Sequence, residues 1–281
     1  MMAAAGSATV GALIAGPVRP GVMLASFPTA VYLRMFDGSV IAVLTQDATR
    51  IPCGLVLAAP SAARPLDRAG GPVFVGRGQV RIGSMTVRMT GIVPCDAPKG
   101  VTAHPGQVSR AGTELAAVCF DEHNPDLIDI LRSGQCEAAA AHLAGSLVGA
   151  GSGLTPSGDD LLAGFFVGAR SFGVRAHRLR NAVLTRPPGA TTDLSSALLG
   201  YAARGESNPE VSAFVLALSG IHPGRDGALR DLLQVGHTSG IALATGVHAA
   251  AVVSLRDTQR TAAPPPQRTP SPLDRSGQAH K

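Results

Sequence analysis

The stretch GSGLTPSGDD, residues 151–160, runs directly into the apolar segment LLAGFFV, residues 161–167. Its glycines break the helical pattern before it. Thr155-Pro156 then reads as a helix start, because threonine can accept from free amides and proline costs nothing at the first helical position. Ser157 and Asp160 offer a second capping register of the Ser-x-x-Asp type. In either register the helix opens with two adjacent carboxylates, Asp159 and Asp160, and then turns apolar on all sides. Such a helix is predicted to be buried all round. A capped helix with a tight entry turn accounts for Thr155, Pro156 and one of the acids. It does not account for both acids, nor for Gly158 in the first turn, where glycine costs about 1 kcal/mol against alanine. Missing side chains let a ligand reach the backbone, so the stretch is a candidate site as well as a cap. It is not a phosphate-binding P-loop, which needs a lysine. Two acids also repel phosphate unless a divalent cation or a substrate amide stands between them.

Outward from this helix the chain divides by texture. Upstream, Val22–Phe36 is rich in Val, Tyr, Phe and Leu, and Asp37-Gly38 is a hairpin turn returning through residues 39–45. Short apolar runs follow at 54–59, 72–75, 79–82 and 85–89, the last two joined by Gly83-Ser84, and residues 114–120 read as a final strand. Around and after the opening stretch, caps and glycine stops mark about eight helices: Asn124-Pro125, residues 137–148, about 156–170, 175–185, Thr191-Thr192 to Ala203, Asn208-Pro209 to Leu218, 227–235 and Ser239 to about Ser254. The predicted class is therefore α+β. A small antiparallel barrel or sandwich spans about 20–118 and an all-helical domain carries the site over 119–258. Residues 1–19 are expected to be a flexible N-terminus, and 259–281 a disordered, Pro-rich, basic tail.

Composition narrows the function classes. The net charge is +5, but residues 260–281 hold three Arg and one Lys against one Asp, net +3. The rest of the chain has no basic run and few aromatics, which argues against nucleic-acid binding. Cys53, Cys95, Cys119 and Cys136 lie far apart without metal-ligand spacing, as expected of core residues in a reducing compartment. Residues 1–15 lack the basic flank of a signal peptide and are too short to span a membrane. A cytoplasmic location is the default expectation.

A second motif echoes the first. Ser157-Gly158-x-x-Leu161-x-x-Gly164 repeats as Ser239-Gly240-x-x-Leu243-x-x-Gly246. Both follow glycine-containing turns and open apolar helices. The two helix N-termini are expected to face one site, where their amides would hold an anion. The binding candidates are Gly153, Thr155, Ser157 and Gly158; Thr191, Thr192 and Ser195 in the segment GATTDLS; and Thr238, Ser239 and Gly240 in GHTSG. Asp159, Asp160 and His237 are the candidate acid–base groups. Thr192 also reads simply as a cap, and Arg204 as a solvated helix end. No nucleophile elbow is present, so the serines are binding rather than nucleophilic candidates.

At GSGLTPSGDDLLAG the sequence resembles the AllH-like family, named for a subunit of oxamate carbamoyltransferase in anaerobic allantoin breakdown. Gly153 to Asp160, Leu162 and Gly164 fit the family signature without a gap. Thr191, Thr192 and Ser195 look like its Thr-Thr-x-x-Ser segment, and Gly236–Gly240 like its Gly-His-[Ser/Thr]-Ser-Gly motif. Ala202, Gly205 and Glu206 match a further motif loosely. Where the family usually carries an Asp after that last Ser-Gly, this chain has Ala242. The resemblance covers about 20–255. It implies carbamoyl transfer between oxalurate and phosphate, giving oxamate and carbamoyl phosphate, within a hetero-oligomer containing acyl-CoA-synthetase-like subunits. It implies no certain cofactor. Mg²⁺ held at Asp159/Asp160 is one alternative, and a non-catalytic binding or assembly subunit is another.

Overall fold

The computed structural model describes residues 1–63, 65–118, 125–221 and 225–262. Its strands are β1 (Met2–Gly6), β2 (Arg19–Ser26), β3 (Ala30–Met35), β4 (Val40–Leu44), β5 (Gly54–Leu57), β6 (Val73–Gly76), β7 (Gln79–Ile82) and β8 (Met85–Ile92). They close a barrel in the order β1-β5-β4-β3-β2-β6-β7-β8. The N-terminal residues, expected to precede the fold, are part of the barrel. Residues 2–6 are the strand that closes the barrel, parallel to β8 and antiparallel to β5. Helix α1 (Ala8–Ala15) then packs on β6, β7 and β8, capped by Ser7, whose hydroxyl accepts from the Val10 amide at 3.1 Å. The β1–β8 and β4–β5 pairs are parallel, so the barrel is not wholly antiparallel. The apolar run at 22–36 is two strands, parted at Phe27-Pro28-Thr29, because proline has no amide for a ladder. Asp37-Gly38 makes the expected turn, with Gly38 at φ 83° and the Ser39 amide donating to Asp37 Oδ1 at 2.9 Å.

The helices are α2 (Pro105–Ala117), α3 (Pro125–Arg132), α4 (Ala140–Leu147), α5 (Ser157–Phe172), α6 (His177–Leu184), α7 (Asp193–Arg204), α8 (Pro209–Ser219), α9 (Arg225–Leu233) and α10 (Ser239–Ala262). Residues 114–117 belong to α2 and not to a strand. Val108, Ala111 and Leu115 recur at helical spacing and are the buried face of that helix. The Asn124 cap and most of the tail fall outside the described residues, and α10 extends through residues 259–262.

Helix α5 is buried along its length except at Arg170. It packs chiefly on α10, and α10 in turn meets α2, α3, α8 and α9. By length and composition α10 could cross a membrane, yet most of its apolar stretch is buried among these helices. The sequence echo is the geometry of the α5–α10 pair. A Cβ on Gly164 would lie 2.1 Å from the Leu243 carbonyl oxygen, and one on Gly246 would lie 2.1 Å from that of Leu161. Leu161 and Leu243 occupy equivalent places in the repeat, so the two helices cross in a pseudo-twofold manner, backbone against backbone.

The turns repeat too. The Gly158 amide donates to the Ala150 carbonyl at 2.8 Å, and the Gly240 amide to the Val235 carbonyl at 2.9 Å. Gly158 lies against the Leu147 carbonyl as Gly240 lies against that of Leu232. Two helix–turn–helix units, α4–α5 and α9–α10, thus share this pair of contacts across turns of different length. The barrel meets them through α7. Leu194 and Tyr201 pack with Ala30, Val40, Ala42, Leu44 and Cys53, which explains why β4 is buried on both faces.

Candidate functional site

A cavity of about 250 Å³ lies where α5, α7, α8 and α10 meet β3 and β4. Helical spacing explains its walls. Asp160, Ala163 and Val167 are successive positions on one face of α5, Leu194, Leu198 and Ala202 on α7, and Ser239 and Leu243 on α10. The barrel side contributes Thr29, Tyr32, Thr49 and Ile51, and the turn from α7 into α8 contributes Glu206, Ser207 and Asn208.

The residues singled out in the sequence fall into two groups. Thr155, Asp160 and Ser239 line the cavity. The Thr155 and Ser239 hydroxyls are 3.1 Å apart, so the entrances of the two repeated helices do share one place. Asp160 is only 6% exposed. Burial pushes its carboxyl up to about 7, with the Asp159 charge adding to the rise and hydrogen bonds from Ser239 and Thr155 opposing it. Its Oδ2 has no hydrogen-bond partner among the described residues. Native proteins leave few buried polar atoms in that condition without a reason.

The second group is a clamp. Asp159 is buried, accepts from the Gly149 amide at 3.0 Å and from the Thr191 hydroxyl, and is further bonded by Ser195. Burial raises its pKa, against those three hydrogen bonds. Thr192 caps α7 by accepting from the Ser195 amide at 3.0 Å, and its hydroxyl donates to the Leu154 carbonyl at 2.5 Å. Together these contacts fasten the 149–154 turn to the start of α7 and fix the direction of α5. Ser157 sits beneath Gly151, where a Cβ would come within 2.7 Å of its hydroxyl. We expect Asp159→Ala to release this clamp, leaving the Gly149 amide and the Thr191 hydroxyl without their acceptor. The cost is roughly 2–4 kcal/mol. Hydrogen exchange at the Gly149 amide should accelerate at least ~10-fold, and an unchanged rate would show that the clamp carries no stability.

The remaining candidates lie elsewhere. His237 and Gly153 are exposed, Thr238 is half-buried, and none of the three lines the cavity. Gly158 and Gly240 face main-chain carbonyls. The expected anion trap is already occupied by the chain itself: the Gly158 amide bonds Ala150, those of Asp159 and Asp160 bond the Pro156 carbonyl at 3.0 and 3.2 Å, and Gly240 bonds Val235. The preceding turns fold back far enough to cap both helices with backbone. Thr155 is not the cap of α5, because Pro156 holds that position and the Thr155 hydroxyl goes to Ser239 instead. Among the described residues no three His, Cys, Asp or Glu side chains gather as a metal set.

Sequence reading passed over the groups that reach the cavity from the α7–α8 turn and the barrel. Glu206 is buried and fully engaged, taking Arg204 Nε at 2.9 Å on one oxygen and the Thr9 hydroxyl at 2.9 Å on the other. Asn208 begins α8 without using its side chain as a cap. The only signal for either was a loose motif match and an Asn-Pro helix start.

Residues 147–251 match the family model described as oxamate carbamoyltransferase subunit AllH. Over this segment the chain is similar to that family. The matched stretch holds α5 through α9 and the first half of α10, and so the whole clamp and the Thr155–Asp160–Ser239 group. The barrel lies outside it. No curated protein and no solved structure matches the chain.

Proposed function

We propose that this chain is the carbamoyl-holding subunit of an oxamate carbamoyltransferase-like enzyme and works in the cytoplasm. The observation that carries this reading is a buried carboxyl with one uncommitted oxygen, Asp160, set in a cavity of small-molecule size within the AllH-like segment. In the carboxylate form it accepts an N–H from the carbamoyl NH₂ of oxalurate. A phosphate oxygen then bonds to the carbamoyl carbon, and the bond from that carbon to the oxamate nitrogen breaks. The phosphate proton ends on the leaving nitrogen. A carboxyl held near 7 is suited to relay it, since an acid–base group works best with a pKa close to the ambient pH. Asp159 holds the clamp and stays out of the chemistry.

The test is formation of carbamoyl phosphate from oxalurate and phosphate, by the chain alone and with acyl-CoA-synthetase-like subunits. Turnover in any combination is expected, and its absence in all of them would remove this reaction. A second reading, a non-catalytic binding or assembly subunit, is favoured by one observation: His237 lies outside the cavity, and among the described residues no histidine lines it. Turnover that survives Asp160→Leu unchanged in the complex would select that reading.

A further inference from the structure

The walls of the cavity carry a charge pattern that narrows its ligand. Among the described residues its lining holds Asp160 and Glu206 but no Lys, Arg or His. Arg204, beside the lining residue Glu206, is spent: its guanidinium pairs with Glu206 and lies over the Tyr201 ring at 4.6 Å. The main-chain amides at the start of α5 have acceptors within the chain. The remaining lining is largely apolar, supplied by Ala163, Val167, Leu198 and Leu243 among others. A buried anion needs a pairing charge or convergent donors to offset its lost hydration; the described lining has no pairing charge, and of its hydroxyls Thr155 and Ser239 are bonded to each other and Ser207 to Ser212. An N–H donor finds the Asp160 Oδ2 acceptor with no competitor among the described residues.

We infer that the cavity is a neutral-amide site: it takes the uncharged carbamoyl or ureido end of a ligand, while phosphate, other free anions and the carboxylate end of oxalurate stay at its mouth. This rests on the carbamoyl-holding reading above and sharpens it, because the positive charge that phosphate requires must then come from another surface, such as a partner subunit. The charges that meet Asp160 are Asp159 on its own helix and Glu206 across the cavity, both acidic. Neither draws an anion in.

Calorimetric titration of the full chain with butylurea, inorganic phosphate and oxamate, each in turn, tests the inference. A ligand of butylurea's size should bind with a Kd of roughly millimolar order. Phosphate and oxamate should give no saturable heat in the same range. Asp160→Leu, which keeps the side-chain size and removes the acceptor, should weaken butylurea at least ~10-fold, equivalent to about 1.4 kcal/mol. Leu198→Phe, which fills the cavity and leaves the carboxyl alone, should weaken it as well. Saturable phosphate or oxamate binding that either variant abolishes would overturn the inference, and so would butylurea binding that neither variant alters. Amide binding without turnover in any complex would sink the transferase reading alone. Turnover without amide binding by the isolated chain would sink only the inference.

Discussion

Gly246→Ala is expected to prevent stable folding of the helices. The added carbon would lie 2.1 Å from the Leu161 carbonyl oxygen, 2.6 Å from the Phe165 nitrogen and 3.0 Å from the Gly164 carbonyl carbon. All three are main-chain atoms in the middle of α5, which is packed on every side and has no room to retreat. Relief requires α5 and α10 to separate, which strips contact from Leu161, Leu162, Phe165 and Val247 along the core. Overpacking of a close-packed interior typically costs 1–3 kcal/mol when side chains can yield. Here only backbone can yield, so a loss above about 4 kcal/mol follows. Gly145→Ala is the control. That glycine lies inside α4 with open space where a Cβ would go, and its replacement should stabilise the chain by about 0.5–1 kcal/mol. Thermal unfolding followed by circular dichroism separates the two. A Gly246→Ala protein that melts with the parent would mean that the helices do not cross this closely.

The helix pair was legible because its constraint is local in sequence. Ser-Gly-x-x-Leu-x-x-Gly appears twice, and each glycine answers a contact made by the leucine of the other copy. What the repeat did not announce was the purpose of Gly158 and Gly240, which look like openings for a ligand and are closed by the carbonyls of Leu147 and Leu232. An absent side chain marks close approach, and sequence alone does not say by what. The barrel was half legible. Asp37-Gly38 and Gly83-Ser84 fix hairpins through local turn chemistry. Strand β1 has no such mark, since Met-Ala-Ala-Ala-Gly is defined by its pairing with β8 more than eighty residues away. Asp160 was readable as polar chemistry at a buried helix mouth. The division of labour between Asp159 and Asp160 was not, because it depends on where Thr191, Gly149 and Ser239 arrive from other elements. Tyr32 and Thr49, reaching the cavity from the barrel, stand in stretches with no functional signal at all.

Asp160→Asn should make the protein more stable and less active. The folded chain holds this carboxyl at about 7, against 3.8 without the fold. Between those values the folded state keeps a proton that the unfolded chain releases, so the residue's contribution grows less favourable as pH rises from about 4 to about 7 and is constant above. At about 1.4 kcal/mol per pH unit the full penalty is at most about 4 kcal/mol. Asparagine carries no charge to desolvate and retains an oxygen for the Ser239 and Thr155 hydroxyls. The variant should therefore match the parent near pH 4 and exceed it at pH 8, by up to roughly 10 °C in Tm. Urea unfolding at the two pH values checks the sign, and a difference that does not vary with pH would show that burial does not burden this carboxyl. In carbamoyl transfer the same substitution removes both the anionic acceptor and the proton relay, and a loss of about 100-fold or more in turnover is expected. The two effects belong together. A buried acid that serves only as a cap would be lost at the cost of stability, whereas one retained against stability is retained for what it binds. Gain of stability with loss of turnover would identify Asp160 as the group for which the cavity exists, and loss of both would return it to the helix cap.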